Sequence, residues 1–219
     1  ALNVTPDWTG LHVNLGQLFS ALGRHRLAQK ELLLAVAGDP HDSIAAFNLA
    51  RLHRRQGETE QAIAWFEKTL SLDDDYADAR PELASMLYEQ GSYQRSATLL
   101  EEELQRDGAC PVCHHNLGLA LLQLGRPDEA LTHLMRALDL DPRYFRAHYN
   151  LAALSAAQGW EQQALEHLER AFELDPDTTR AWLDLDRADF VQLASHPRLL
   201  QLLGARVALE QLGEHRIDG

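Results

Sequence analysis

One 34-residue pattern begins at Thr9 and returns five times without insertion or deletion, at Ser43, Ala77, Pro111, Phe145 and Thr179. In this register Gly23, Gly57, Gly91, Gly125 and Gly159 share a column, as do Leu15, Leu49, Leu83, Leu117, Leu151 and Leu185. A strict period of this length specifies a stack of small units rather than one globular core, because each unit buries its apolar face against its neighbour.

Each repeat reads as two amphipathic helices. In the fourth, Leu117, Leu121 and Leu124 recur at helical spacing, and Gly125 then stops the segment. Arg126, Pro127 and Asp128 form a start signal, with the proline placed where its missing N–H costs nothing. Ala130, Leu131, Leu134, Ala137 and Leu138 make the second apolar face, and Asp141-Pro142 closes the unit because a residue before proline resists the helical region. Ala28, Ala62, Ala130 and Ala164 mark the crossing of the two helices, where a larger side chain would push them apart. Ala35, Ala137, Ala171 and Ala205 mark the contact with the next unit. No strand-like alternation of useful length occurs, so the chain is expected to be all helix.

These columns resemble the tetratricopeptide repeat: His12, Leu15-Gly16, Phe19, Ala28, Leu32, Ala35 and Pro40 in the first unit, and His114, Leu117-Gly118, Leu121, Ala130, Leu134, Ala137 and Pro142 in the fourth. The resemblance covers Thr9 to about Leu212. It implies an all-α, right-handed superhelical solenoid of about six repeats: residues 1–8 a leader, 9–212 the array, 213–219 a tail. The sixth unit departs from the pattern. It keeps Trp182 and Leu185 in register, but Pro197 interrupts its second half, and Ser195-His196-Pro197 restarts a helix over about 197–212 through Leu199, Leu200, Leu202, Leu203 and Val207. That helix is expected to cap the array, with Trp8 and the leader shielding the other end.

A formal charge of −13 argues against general nucleic-acid or anionic-membrane binding, although protonating all eleven histidines would bring the chain close to neutrality. No apolar run approaches membrane-spanning length. The N-terminus has no basic region followed by an apolar stretch, which favours a cytoplasmic over a periplasmic setting. The eighteen Arg against two Lys suit a GC-rich genome.

In the family that the columns resemble, the first helices of successive repeats line a groove, and the sixth place of each repeat points into it. Here that place holds Asn14, Asn48, Glu82, Asn116, Asn150 and Asp184. A carboxamide carries both a donor and an acceptor, so a row of them can grip peptide backbone without demanding sequence. The row resembles the asparagine ladder of O-linked N-acetylglucosamine transferases; the alternative is a merely polar face. Phe47, Arg51, Arg54, Arg55, Arg146, Tyr149, Arg180 and Arg187 are expected to edge the same surface and to favour an acidic or aromatic segment. The carboxylate clamp of chaperone-binding repeat domains is excluded, because Asp78 and Glu82 stand where it needs cations.

The third repeat is irregular. Ser96 and Glu103 replace column alanines, Glu82 interrupts the asparagines, and Gly108 replaces the closing proline, so Glu103 needs a partner or a local shift. Next to it, Cys110-Pro111-Val112-Cys113-His114 contains the letters of a haem-attachment motif, but no second axial ligand is evident. A structural zinc site needs four protein ligands, which this one short stretch does not supply alone. Two separate thiols at an inter-repeat turn is the favoured reading, with a reversible Cys110–Cys113 redox pair as the alternative. No catalytic motif is present, and neither a cofactor nor a metal is called for. The expected function is a scaffold that binds another protein or an extended peptide in the groove. The alternatives are a self-assembling oligomer and the recruiting module of a larger enzyme such as a glycosyltransferase.

Overall fold

The computed structural model describes residues 8–204 except 77 and 187, and among these there are only helices and turns. The helices are α1 (Thr9–Ala21), α2 (His25–Gly38), α3 (Ser43–Arg55), α4 (Thr59–Leu72), α5 (Ala79–Glu89), α6 (Tyr93–Arg106), α7 (Pro111–Gln123), α8 (Pro127–Leu140), α9 (Phe145–Ala157), α10 (Glu161–Leu174), α11 (Pro176–Leu185) and α12 (Pro197–Leu203). The chain divides into two compact units, residues 1–103 and 104–219. No described helix is long and apolar enough to cross a membrane.

In the N-terminal unit α1 packs on α2 and α3 on α4, and α2 then packs on α3 and α4 on α5. The core between them holds Ala28, Leu32, Leu49 and Leu52, followed by Phe47, Ala62, Phe66, Leu83 and Leu87. In the C-terminal unit α7 packs on α8, α8 on α9 and α9 on α10. Leu134 meets Leu151 and Leu154 there, and Tyr149, Leu165, Leu168, Leu183, Phe190 and Leu199 form the far cluster.

Sharp turns inside each hairpin explain the glycine column. Gly57 and Gly125 have φ of 74° and 73°, a left-handed conformation that a Cβ would strain. Gly118 is needed for a different reason. A Cβ there would lie 2.8 Å from Leu134 Cγ and 3.3 Å from the Ala130 carbonyl oxygen, whereas one on Gly10 would meet nothing within 4 Å. Gly118→Val should therefore destabilise the fold by roughly 1–3 kcal/mol. Gly10→Ala should be neutral or stabilising by up to about 1 kcal/mol, since it gains helix propensity without a clash. Urea midpoints of the two variants check this contrast, and equal midpoints would refute it.

Two expectations for the last repeat are corrected. Leu185 is 80 % exposed, whereas Leu49, Leu83, Leu117 and Leu151 of the same column are buried, because α11 ends at Leu185. In addition, α11 begins at Pro176, ahead of Thr179, because the Asp175 carboxylate accepts the Thr178 N–H at 3.0 Å and caps the helix directly. In the preceding repeat the equivalent Asp141 accepts from Arg143, which makes a turn instead of a cap. Leu199 is buried against the terminal cluster, with Leu202 and Leu203 beside it. The remainder of the expected cap, with Val207 and Ala205, lies outside the described residues, as do residues 1–7 of the leader. Trp8, expected to help shield that end, is 56 % exposed.

The third repeat satisfies its own irregularities. Ser96 is buried and donates from its hydroxyl to the Ala84 carbonyl at 2.7 Å, so a polar group occupies an alanine position without an unmet hydrogen bond. Glu103 has its partner in Arg80, 3.5 Å away, whose buried guanidinium also binds the Asp74 carbonyl and carboxylate.

Candidate functional site

In the C-terminal unit, α7 and α9 lie side by side and bring Asn116 and Asn150 to the same imidazole. His115, 3 % exposed, packs its ring edge-on against Tyr144 at 5.1 Å. Its Nδ1 is 3.0 Å from Asn116 Oδ1, and its Nε2 is 2.9 Å from Asn150 Nδ2. Since Oδ1 only accepts and Nδ2 only donates, His115 is the neutral tautomer carrying its proton on Nδ1. Burial drives its pKa down to about 4, against a smaller opposing contribution from the Asn116 hydrogen bond.

This imidazole orients both amides. Asn150 uses its Nδ2 protons on His115 and on the Arg146 carbonyl at 2.9 Å, leaving Oδ1 as its available group. Asn116 spends Oδ1 on His115, leaving its two N–H donors. Neither remaining group has a protein partner among the described residues. The pair thus offers a donor at one repeat and an acceptor at the next, the complement of the C=O and N–H of an extended segment.

Beside them Arg146 sits over the rings of Phe145, at 6.0 Å, and Trp182, at 5.9 Å. Neither Arg146 nor Arg180, both exposed, has a carboxylate partner among the described residues. Tyr149 is corrected from a groove-edge residue to a core one. It is 3 % exposed, stacks edge-on with Trp182 at 5.0 Å and donates its hydroxyl to Asp186 at 2.9 Å. Arg187, expected nearby, lies outside the described residues.

The N-terminal unit treats its own candidates differently. Asn14 is exposed with no hydrogen-bond partner among the described residues, and Asn48 donates to the Ile44 carbonyl of its own helix at 2.8 Å. Asn48, Gln17, Ser20, Arg51 and Arg55 line a cleft of about 340 Å³ between α1 and α3. Phe47 is also a core residue, 6 % exposed against Phe66 and Tyr76. The locally basic surface expected here is partly neutralised, because Arg54 pairs with Glu82 and Glu89; Arg55 donates to the neutral Ser20 Oγ at 3.0 Å and keeps its charge. Arg51 stays exposed over the Phe47 ring at 5.8 Å.

Cys110 and Cys113 are bonded to each other, which corrects the favoured reading of two separate thiols. The C-x-x-C spacing at the start of α7 brings their Cα atoms to 5.3 Å, within disulfide range, and Cys110 caps the helix through Sγ. A further cleft, about 910 Å³, lies between α8 and α10 and is lined by Leu131, Met135, Trp160, Glu161 and His167. Sequence reasoning passed over it, and also over His115, whose role depends on which neighbour each ring nitrogen meets.

Models of tetratricopeptide repeats match residues 13–77, 118–159 and 145–178, and the model described as anaphase-promoting complex, cyclosome, subunit 3 matches 56–137. No curated protein sequence matches the chain. Among solved structures, "MamA 41-end from Desulfovibrio magneticus RS-1" is 21 % identical with a TM-score of 0.71, over 80 % of this chain and 98 % of that one. "MamA RS-1 ArsTM double mutant" is 20 % identical, also at 0.71, with the same coverage of 80 % and 98 %. "YrrB: a TPR protein with an unusual peptide-binding site" is 22 % identical at a TM-score of 0.63, over 76 % and 86 % of the two chains. These likenesses establish a shared fold.

Proposed function

Because the chain belongs to the tetratricopeptide-repeat family, we propose that it is a protein-interaction scaffold, not an enzyme, and that it holds an extended partner segment against its first helices. The reading is carried by the oriented pair of amides: Asn116 with free N–H donors, and Asn150 with a free oxygen, both fixed by His115. Arg146, over Phe145 and Trp182, adds a cation on an aromatic bed and favours a segment with an acidic or aromatic side chain. The peptide-binding site named for the structurally similar YrrB is in keeping with this use of the fold.

Asn116→Asp separates the donor from the scaffold. The carboxylate still accepts from His115, but the two N–H donors are gone. A partner captured from source-cell lysate by the wild type should bind this variant roughly tenfold more weakly, the equivalent of one lost hydrogen bond with a repelled carbonyl. Changing Asn14, Asn48, Asn116 and Asn150 together to Ala should abolish capture while circular dichroism stays helical. Equal capture by all three proteins would move the contact to the cleft between α8 and α10.

Self-assembly remains a second reading, supported by Leu11 and Leu18 on α1 and Leu22 just after it, which are 45 %, 53 % and 60 % exposed. Light scattering that stays monomeric up to high concentration would remove it.

A further inference from the structure

Two columns of the repeat meet across each hairpin in a way that the peptide face does not use. In the C-terminal unit they place His114 against His133 and, one repeat later, His148 against His167. The Nδ1–Nδ1 separations are 2.9 Å and 3.1 Å, and the ring centroids lie 5.2 Å and 5.3 Å apart. In the N-terminal unit the same columns hold His12 and Glu31, 2.7 Å apart.

The outer nitrogens explain which atom faces inward. His148 Nε2 lies 3.2 Å from the Pro142 carbonyl oxygen, and His114 stands in the same column one repeat earlier, with Gly108 in the place of Pro142. A carbonyl oxygen can only accept, so Nε2 of His148 carries the proton and its Nδ1 presents a lone pair to His167. His167 donates its own Nδ1–H to that lone pair. An imidazole whose far N–H is held by a backbone carbonyl, with its near nitrogen unprotonated, is the arrangement that metal-ligating histidines adopt. A tetrahedral ion at about 2.0–2.1 Å from each nitrogen needs the two nitrogens about 3.3 Å apart. Each pair therefore has to open by only a few tenths of an ångström.

We infer that His114 with His133, and His148 with His167, form two equivalent bis-imidazole sites for a divalent transition-metal cation of the zinc, nickel or copper class. In each site the ion takes the place of the shared proton, and His133 or His167 moves its proton to Nε2 through solvent. Imidazole suits these ions better than calcium or magnesium, which prefer oxygen. Among the described residues no third histidine, cysteine or carboxylate completes either site, so water fills the other positions. His167 lines the open cleft between α8 and α10, which gives that water access. The nearby charges pull both ways: Arg126 and Arg136 at the first pair and Arg170 at the second disfavour a cation, while Glu129 and Glu166 favour it. With two protein ligands per ion, micromolar affinity is expected.

The test is titration of tag-free oxidised protein with zinc chloride at pH 7.5, followed by calorimetry. In this state Cys110 and Cys113 are bonded to each other and compete for no metal. Two zinc ions per chain are expected, one for either His133→Gln or His167→Gln, and none for the double variant. His12→Gln should leave the count at two. Lowering the pH far enough to protonate the imidazoles should weaken binding, because protons and the ion compete for the same nitrogens. Zinc-dependent movement of the Nδ1 resonances of His114, His133, His148 and His167 in the wild type supports the same assignment without any substitution. No binding below about 100 µM, or binding that survives in the double variant, overturns it.

Discussion

Arg80→Ala should lower the unfolding free energy by about 3–5 kcal/mol, the usual result of removing one partner from a buried ion pair. The Arg80 side chain is 5 % exposed, and Glu103, across from it, is 19 % exposed. Truncation leaves the mostly buried Glu103 carboxylate in a packing position without its cation, and it frees the Asp74 contacts that close the preceding turn. The same physics predicts a rescue. Combining Arg80→Met with Glu103→Ala restores the residue that the column carries at Ala35, Ala137 and Ala171 and removes both charges, so most of the loss should return. Urea denaturation followed by circular dichroism reads both variants. A loss below about 1 kcal/mol for Arg80→Ala, or no recovery in the double variant, would show that the pair does not hold this repeat together.

Acid should destabilise the C-terminal unit before carboxylates account for it. His115 is held at about 4 in the folded chain by burial, against an ordinary value of about 6.5. His114, His133, His148 and His167 are lowered in the same direction, chiefly by burial. Between the two values the unfolded chain binds more protons than the folded one, so stability is complete above about pH 6.5 and falls as the pH drops towards 4. For His115 alone the span corresponds to roughly 3 kcal/mol. Protonation would also turn an N–H towards the Asn150 amide and undo the orientation of the peptide-facing pair. Urea midpoints at pH 7.5 and pH 4.5 should separate more for the wild type than for His115→Gln, which cannot titrate there. Identical pH dependence in both would place the acid sensitivity elsewhere.

The all-helical repeat fold was legible in the sequence because it rests on periodicity. Residues such as Gly57, Leu117 and Ala130 act within one hairpin, and each repeat presents the same local signals again. The asparagines of the first helices could be located the same way. Their chemistry could not, because it depends on neighbours one repeat away: His115 lies next to Asn116 in the chain but reaches Asn150 only when α7 and α9 pack together. Phe47 and Tyr149 read from sequence as groove residues because aromatic residues often anchor interfaces, yet packing buries both. Glu103 announced that it needed a partner, but Arg80 could be named only once the helices of the third repeat were in place.

What the sequence determined by itself was the repeat, its helices and the columns that point in one direction, since these follow from spacing along a single chain. What only the tertiary structure decided was how polar groups are paired: the His115 relay, the two histidine pairs, the Arg80–Glu103 pair and the bond between Cys110 and Cys113. Apolar burial is tolerant and periodic, so pattern suffices to specify it. Hydrogen bonds and ion pairs depend on ångström-scale separation and orientation, which no column of residues records.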